Sequence, residues 1–377
     1  PNSLADFRNT QEYLTLFYYL VAILKQNSPI LTYTSKIKLQ IGEIIKVPLH
    51  KSIKTAVVLQ SCKKPNFECK EIQQENSYFS KTQINLAEFI TSYYCTSRTI
   101  AYGIFTPFLQ DSNTTKPSSL EFNLPQLNAK QTEAYNFIME RQSSLLFGDT
   151  GSGKTEIYIH LLNQTLKQSQ NALFLMPEIS LTPQMEKRLY SVFGDILAFW
   201  HSKLSPKKRK ETLQRIHNGE IRILAGARSA LFLPIHHLGL IIIDEEHDDA
   251  YKSNSAPRYH ARDVALYLAK QLNTKIVLGS ATPLASTYYK FQQNQSVFRL
   301  KGTYYQSQKE FLFCHSANEN HPFILESLAN NLQNHKQAIV FLPTRANFKH
   351  LLCQTCGESI QCPNCSVSMS LHTKDSS

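Results

Sequence analysis

Four fixed positions, Gly148, Gly153, Lys154 and Thr155, constrain this chain more than any other feature in it. They sit in the run Gly148-Asp149-Thr150-Gly151-Ser152-Gly153-Lys154-Thr155, which satisfies GxxxxGK[ST]. At that spacing bare backbone N–H groups wrap phosphate oxygens, the lysine reaches the β- and γ-phosphates, and the final hydroxyl holds Mg2+. Ser144-Leu145-Leu146-Phe147 just upstream reads as a short buried strand, and the apolar residues from Lys154 to Leu166 recur at helical spacing. Strand, loop and helix in that order predict an α/β fold with a parallel sheet and make all eight residues of the run candidate nucleotide ligands.

A second cluster, Asp244-Glu245-Glu246-His247, follows the apolar run Leu240-Ile241-Ile242-Ile243, which suits a strand buried on both faces. Its carboxylates emerge where open α/β sheets bind ligands, beyond the carboxyl end of a strand. Asp244 is placed to hold Mg2+ and Glu245 to orient the attacking water. His247 can touch both the nucleotide and a neighbouring loop. Lys154, Asp244, Glu245 and His247 are therefore the candidate catalytic residues.

A length of 377 residues predicts two or three domains, and 42% hydrophobic with 18% charged residues marks a globular chain with ample core. The formal charge of +11 favours a polyanionic partner. Between Tyr18 and Ser61 short apolar and polar bursts alternate, as in a small β-rich domain. A helical stretch follows from Leu86 to Thr106, then a polar linker from Asp111 to Ser119. Strands at 144–147, 172–176, 221–224, 239–243 and 275–279 alternate with helices, and a further helix near 322–332 precedes a strand at 338–342. No apolar stretch reaches the ~20 residues of a membrane span. Leu14 to Leu24 reads as a buried strand, and the absence of a secretory pattern points to the cytosol, with no membrane partner. Cys62, Cys69, Cys95 and Cys314 read as buried thiols, whereas Cys353-x-x-Cys356 and Cys362-x-x-Cys365 carry zinc-ligand spacing. Lys203, Lys207, Lys208, Arg209 and Lys210 follow a helix start at Ser205-Pro206 and read as a solvated face.

Other signatures stand in a telling order. Leu127 to Ala134 includes Gln131 ahead of the phosphate loop, Met176 to Gln184 follows the second strand and Gly226 to Phe232 the third, and Gly279-Ser280-Ala281-Thr282-Pro283 follows the fifth. Tyr251, Lys252, Arg258, Tyr259 and Arg262 mix rings with cations, a composition suited to stacking on bases while tracking phosphates. With Pro177-Glu178-Ile179, Arg228-Ser229-Ala230-Leu231-Phe232 and Arg258-Tyr259-His260-Ala261-Arg262-Asp263, the chain resembles the superfamily 2 helicases and, more closely and nearly end to end, the PriA (primosomal protein N′) family of replication-restart DNA helicases.

The resemblance implies a RecA-like parallel-sheet helicase lobe preceded by a small β-rich DNA-binding domain and followed by a truncated second lobe with a Cys-rich zinc segment. The expected bounds are a tail at 1–13, a 3′-end-binding β-rich domain at 14–80, a short helical segment and linker at 81–124 in place of a full winged helix, lobe 1 at 125–302 and the start of lobe 2 at 303–377. It implies that Gln131 bonds adenine, that Arg228, Ser229, Tyr251, Lys252, Arg258, Tyr259 and Arg262 contact DNA, and that the Ser280-Ala281-Thr282 loop couples hydrolysis to movement. Cys353, Cys356, Cys362 and Cys365 would be completed by later cysteines around two zinc ions. The implied activity is ATP-dependent, Mg2+-requiring 3′-to-5′ unwinding at stalled or abandoned forks, with single-strand DNA-binding protein and helicase-loading proteins of the primosome as partners beside forked and single-stranded DNA. An N-terminal fragment without the second lobe's arginine finger is expected to turn over ATP weakly. Two other readings are a superfamily 2 translocase of different use and a zinc-bearing loading scaffold.

Overall fold

The computed structural model describes residues 16–111, 115–177, 180, 183–303 and 322–339. The expected tail, Cys314, the four CxxC cysteines, most of the expected second lobe and part of the 176–184 loop lie outside the described residues.

The N-terminal region builds β1 (Phe17–Ile23), β2 (Leu31–Ser35), β3 (Glu43–Leu49), β4 (Ser52–Cys62), β5 (Gln73–Tyr78), α1 (Lys81–Tyr93), α2 (Arg98–Tyr102) and β6 (Phe108–Leu109). These strands form one antiparallel sheet in the order β2-β1-β4-β3-β5-β6. Period-2 alternation sends Tyr19, Val21, Ile23, Ile45, Val47, Ala56 and Val58 to one core, while Ala22, Ile44 and Val57 face Leu86, Ala87 and Ile90 of α1. Ser80 starts α1 with a reciprocal capping box to Gln83. The sheet does not end at residue 80 as expected. Because β6 pairs with β5, the helical segment is an insertion within the domain, and among the described residues of 81–124 it amounts to two helices and a two-residue strand. The isolated thiols also differ from expectation: Cys62 and Cys69 are half-buried and Cys95 is exposed.

The second region contains α3 (Ala129–Met139), β7 (Ser143–Gly148), α4 (Lys154–Lys167), β8 (Asn171–Leu175), α5 (Pro183–Phe193), β9 (Leu197–Trp200), α6 (Pro206–His217), β10 (Ile223–Gly226), β11 (Leu238–Ile243), α7 (Ala261–Leu272), β12 (Lys275–Ser280), α8 (Ala285–Gln293) and β13 (Val297–Leu300). The seven strands are all parallel, in the order β13-β7-β12-β11-β8-β10-β9. The five expected strands are present, and β9 and β13 are two that the sequence reading missed, each only four residues long. Consecutive residues of β11 go to opposite cores, Ile241 and Ile243 to one and Leu240 and Ile242 to the other, so the strand is buried on both faces. Each such side chain contributes about 1.5–3 kcal/mol of burial. Of the basic run, Lys207, Lys208 and Lys210 lie on an exposed face of α6, capped by Ser205 with Pro206 in its first turn, as expected; Lys203 precedes the helix, and Arg209 is half-buried and donates to the Ser202 carbonyl at 2.7 Å.

The two sheets share one apolar cluster. Phe89 stacks on Tyr267 at 4.0 Å, Phe105 meets Phe232 edge-on at 5.0 Å, and the Thr106 amide donates to the Phe232 carbonyl. The linker is pinned as well, since Arg222, which is buried, donates to the Ser118 carbonyl at 2.9 Å. A separate unit contributes α9 (Pro322–Gln333) where a helix was expected; the strand expected at 338–342 is absent at Ala338 and Ile339, and its remainder lies outside the described residues.

Candidate nucleotide site and its flank

β7 and β11 lie on either side of β12 and deliver the two sequence clusters to the same end of the sheet. Gly151 and Gly153 take φ values of 76° and 84°, which side chains with a Cβ rarely adopt, and this turns the loop between β7 and α4. Gly153 is the N-cap of α4 and offers no side-chain cap, so the helix start has no side-chain partner and its dipole favours an anion there. A Cβ on Gly148 would lie 2.8 Å from Ser152 Oγ and 2.9 Å from Lys154 Cγ, so the cradle closes only over a glycine. Lys154 Nζ, almost fully buried, donates to the Gly148 carbonyl at 3.1 Å and sits 3.7 Å from Glu245 Oε1. Ser152 Oγ is buried and has no partner. An orphaned hydroxyl, a buried ammonium and uncapped amides fit the phosphates of Mg·ATP. Thr155 is half-buried at the head of α4, and Thr150 is exposed.

Asp149 faces away from that cradle. It pairs with Arg299 of β13 and accepts from the Gly302 amide at 2.9 Å, tying the loop to the exit of the sheet. Gln131 is also engaged within the protein. Its oxygen accepts from the Asn128 amide at 3.0 Å in a capping box, and its nitrogen reaches the Ser152 carbonyl at 3.5 Å, so the buried amide braces the phosphate loop.

Asp244 directly follows β11 and is almost completely buried. Burial, helped by the neighbouring Glu245 charge, raises its carboxyl to about 6 against the opposing pull of Lys154. A divalent cation would relieve that penalty. Tyr158 of α4 donates to Asp244 Oδ1 at 3.0 Å, and Tyr251 donates to the Asp244 carbonyl at 2.6 Å. Glu245 takes a φ of 47°, in the left-handed region, where a non-glycine residue carries strain. This geometry leaves Glu245 between Lys154 and His247, with His247 Nδ1 3.7 Å from Oε2. His247 then rests on the Ser280-Ala281-Thr282 loop, at 2.7 Å from Ser280 Oγ and 3.3 Å from Thr282 Oγ1. Glu246 is fully buried, accepting from Arg262, Thr287 and the Leu284 amide.

The candidate DNA residues divide. Ser229, Lys252 and Arg258 are exposed, and Lys252 Nζ donates to the Arg258 carbonyl at 2.6 Å. Arg228 reaches across to the Ala250 carbonyl at 2.5 Å, joining the two segments expected to grip DNA. Tyr251 and Tyr259 correct the stacking expectation, because both are buried: Tyr259 packs edge-on against Phe232 at 4.9 Å, and burial pushes its hydroxyl up to about 12 despite Arg228 beside it. Arg262 is likewise largely buried, bound to Glu246 at 3.0 Å. No group of three or more metal-ligating side chains occurs among the described residues, and Cys353, Cys356, Cys362 and Cys365 lie outside them.

Tyr158, Glu246 and the Asp149 tie were not anticipated. The available signal for Tyr158 was a tyrosine on the apolar face of α4, whose hydroxyl needs a buried partner.

Residues 21–107 match the family model for the 3'DNA-binding domain (3'BD), and residues 128–291 match that for the DEAD/DEAH box helicases. The chain is 46% identical over 359 residues to the replication restart protein PriA of Helicobacter pylori, covering 95% of this chain and 58% of that protein. It is 38% identical over 245 residues to the Bacillus subtilis protein of that name, covering 62% of this chain and 30% of the relative. The Rickettsia typhi protein of that name is 33% identical over 364 residues, covering 90% and 55% respectively. The chain thus spans less than two thirds of the length of each relative. With one match on each of its two sheets and this identity running through both, the chain belongs to the PriA family of replication restart proteins.

Proposed function

We propose that the protein is an ATP-dependent 3′-to-5′ DNA helicase that recognises stalled or abandoned replication forks and helps reload the replicative helicase. The observation that carries this reading is the chain of contacts Lys154, Glu245, His247, Ser280, which runs from the phosphate cradle into the loop expected to couple hydrolysis to movement. In this reading Lys154 and the loop amides bind the β- and γ-phosphates, Thr155 and Asp244 hold Mg2+, and Glu245 orients the attacking water. Bound Mg2+ supplies neutralisation of the phosphate charge. His247 passes the state of the site to Ser280 and Thr282. The β-rich domain binds the 3′ end of the nascent strand, while Ser229, Lys252 and Arg258 meet the DNA backbone.

Two zinc ions held in part by Cys353, Cys356, Cys362 and Cys365, a cytoplasmic location, and partnership with single-strand DNA-binding protein and helicase loaders belong to the same reading. They rest on family resemblance. The Lys154→Ala variant of the full-length protein is expected to lose unwinding and to keep fork binding. Retained unwinding would overturn the assignment.

A further inference from the structure

Tyr158 is completely buried at the fifth position of α4, three residues beyond Thr155 and therefore on the same side of the helix. Its ring packs edge-on against Phe174 of β8 at 5.5 Å, and its hydroxyl donates to Asp244 Oδ1 at 3.0 Å. The bond crosses from the helix that begins at the phosphate loop to the residue that directly follows β11. Space for it comes from a third element, β12: a Cβ on Gly279 would lie 1.6 Å from the tyrosine hydroxyl and 3.2 Å from Asp244 Oδ1. Three elements of the sheet and its covering helix therefore converge on one hydroxyl-to-carboxylate contact.

A buried tyrosine needs only some acceptor, and a main-chain carbonyl would serve. The acceptor here is the carboxylate, and fixing one of its oxygens fixes the rotation of the whole group. We propose that Tyr158 is a positioning residue for the metal of the bound nucleotide, holding the Asp244 carboxylate in register with the Thr155 hydroxyl so that the two act as one preformed Mg2+ seat. This rests on the nucleotide reading above and assigns a role to a residue outside the phosphate-loop and Asp-Glu-Glu-His segments. Outer residues that orient metal ligands typically govern metal affinity rather than the chemistry itself.

The test compares the full-length protein with its Tyr158→Phe variant, which keeps the ring and removes only the hydroxyl. Binding of a fluorescent, non-hydrolysable ATP analogue is titrated in EDTA and across a Mg2+ series, with forked-DNA binding as the check on folding. Tyr158→Phe should bind the analogue in EDTA as the parent does, bind forks normally, and require about tenfold more Mg2+ for half-maximal tightening. ATPase should shift by the same factor in Mg2+ and recover at saturation. An unchanged Mg2+ requirement in the variant overturns the inference and leaves the nucleotide reading standing. Equal weakening with and without Mg2+ also overturns it, because that is the signature of lost packing. Absence of Mg2+-dependent binding in the parent protein overturns the nucleotide reading itself, and the inference with it.

Discussion

The Tyr251 hydroxyl donates to the main-chain carbonyl of Asp244 at 2.6 Å, so the segment that turns back toward α7 is bonded to the residue proposed to hold Mg2+. The ring that sequence composition assigned to base stacking instead serves as a strut between two parts of the lobe.

Replacing that strut by Tyr251→Phe leaves the Asp244 carbonyl buried and unpaired, at a cost of about 1–3 kcal/mol. Urea unfolding should detect the loss. In the full-length protein, stimulation of ATPase by single-stranded DNA should fall more than the DNA-free rate. Equal reduction of both rates would show that the strut is structural only.

Gly279→Ala drives a methyl into the Tyr158 hydroxyl. The single variant should bind Mg·nucleotide poorly, and combining it with Tyr158→Phe should restore part of the loss. Coupling between touching residues in such a cycle is about 0.5–3 kcal/mol, and strict additivity would contradict the geometry.

Arg262→Ala strands the fully buried Glu246 carboxylate, a change that costs about 3–5 kcal/mol when a buried pair is broken. Because Arg262 is largely buried, the folded variant should bind DNA with the parent's salt dependence. Arg258→Ala, at an exposed position, should lower the slope of log K against log salt by about one without reducing stability.

His217 and His236 are held below the ordinary histidine value of 6.5 by burial, and for His236 also by His237 and His217. The unfolded chain therefore binds more protons than the folded one below that value. The contribution of the neutral rings is present above pH 6.5 and is lost as pH falls through the lowered folded values. His236 packs on Phe108 at 4.4 Å, so acid should loosen the junction of the β-rich domain with the lobe. Thermal melts between pH 5 and 7.5, flattened in His236→Gln, check this; a pH-independent melt in the parent would refute it.

The phosphate loop and the Asp-Glu-Glu-His cluster were legible because phosphate geometry dictates residue types at fixed spacing. The strands carrying them were legible because burial on both faces leaves runs such as Leu240 to Ile243. Composition could not tell which side of a loop a ring or cation faces, and Tyr251, Tyr259 and Arg262 turned inward. The capping box that joins Gln131 to Asn128 was likewise not legible from the position of Gln131 ahead of the phosphate loop. Tyr158 needed the fold, because its partner lies 86 residues away. The two strands that were missed, β9 and β13, are the edges of the sheet, whereas the equally short β10 lies inside it and was legible.

The tie between Asp149 and Gly302 spans 153 residues. It gives the cradle a timetable during synthesis: the motif is translated early in the lobe, but the loop cannot acquire its final bonds until the last edge strand and Gly302 have left the ribosome. Contacts of such separation in sequence form late and slowly. A nascent chain halted within the lobe would thus carry the whole nucleotide signature and still lack the clasp that sets its shape.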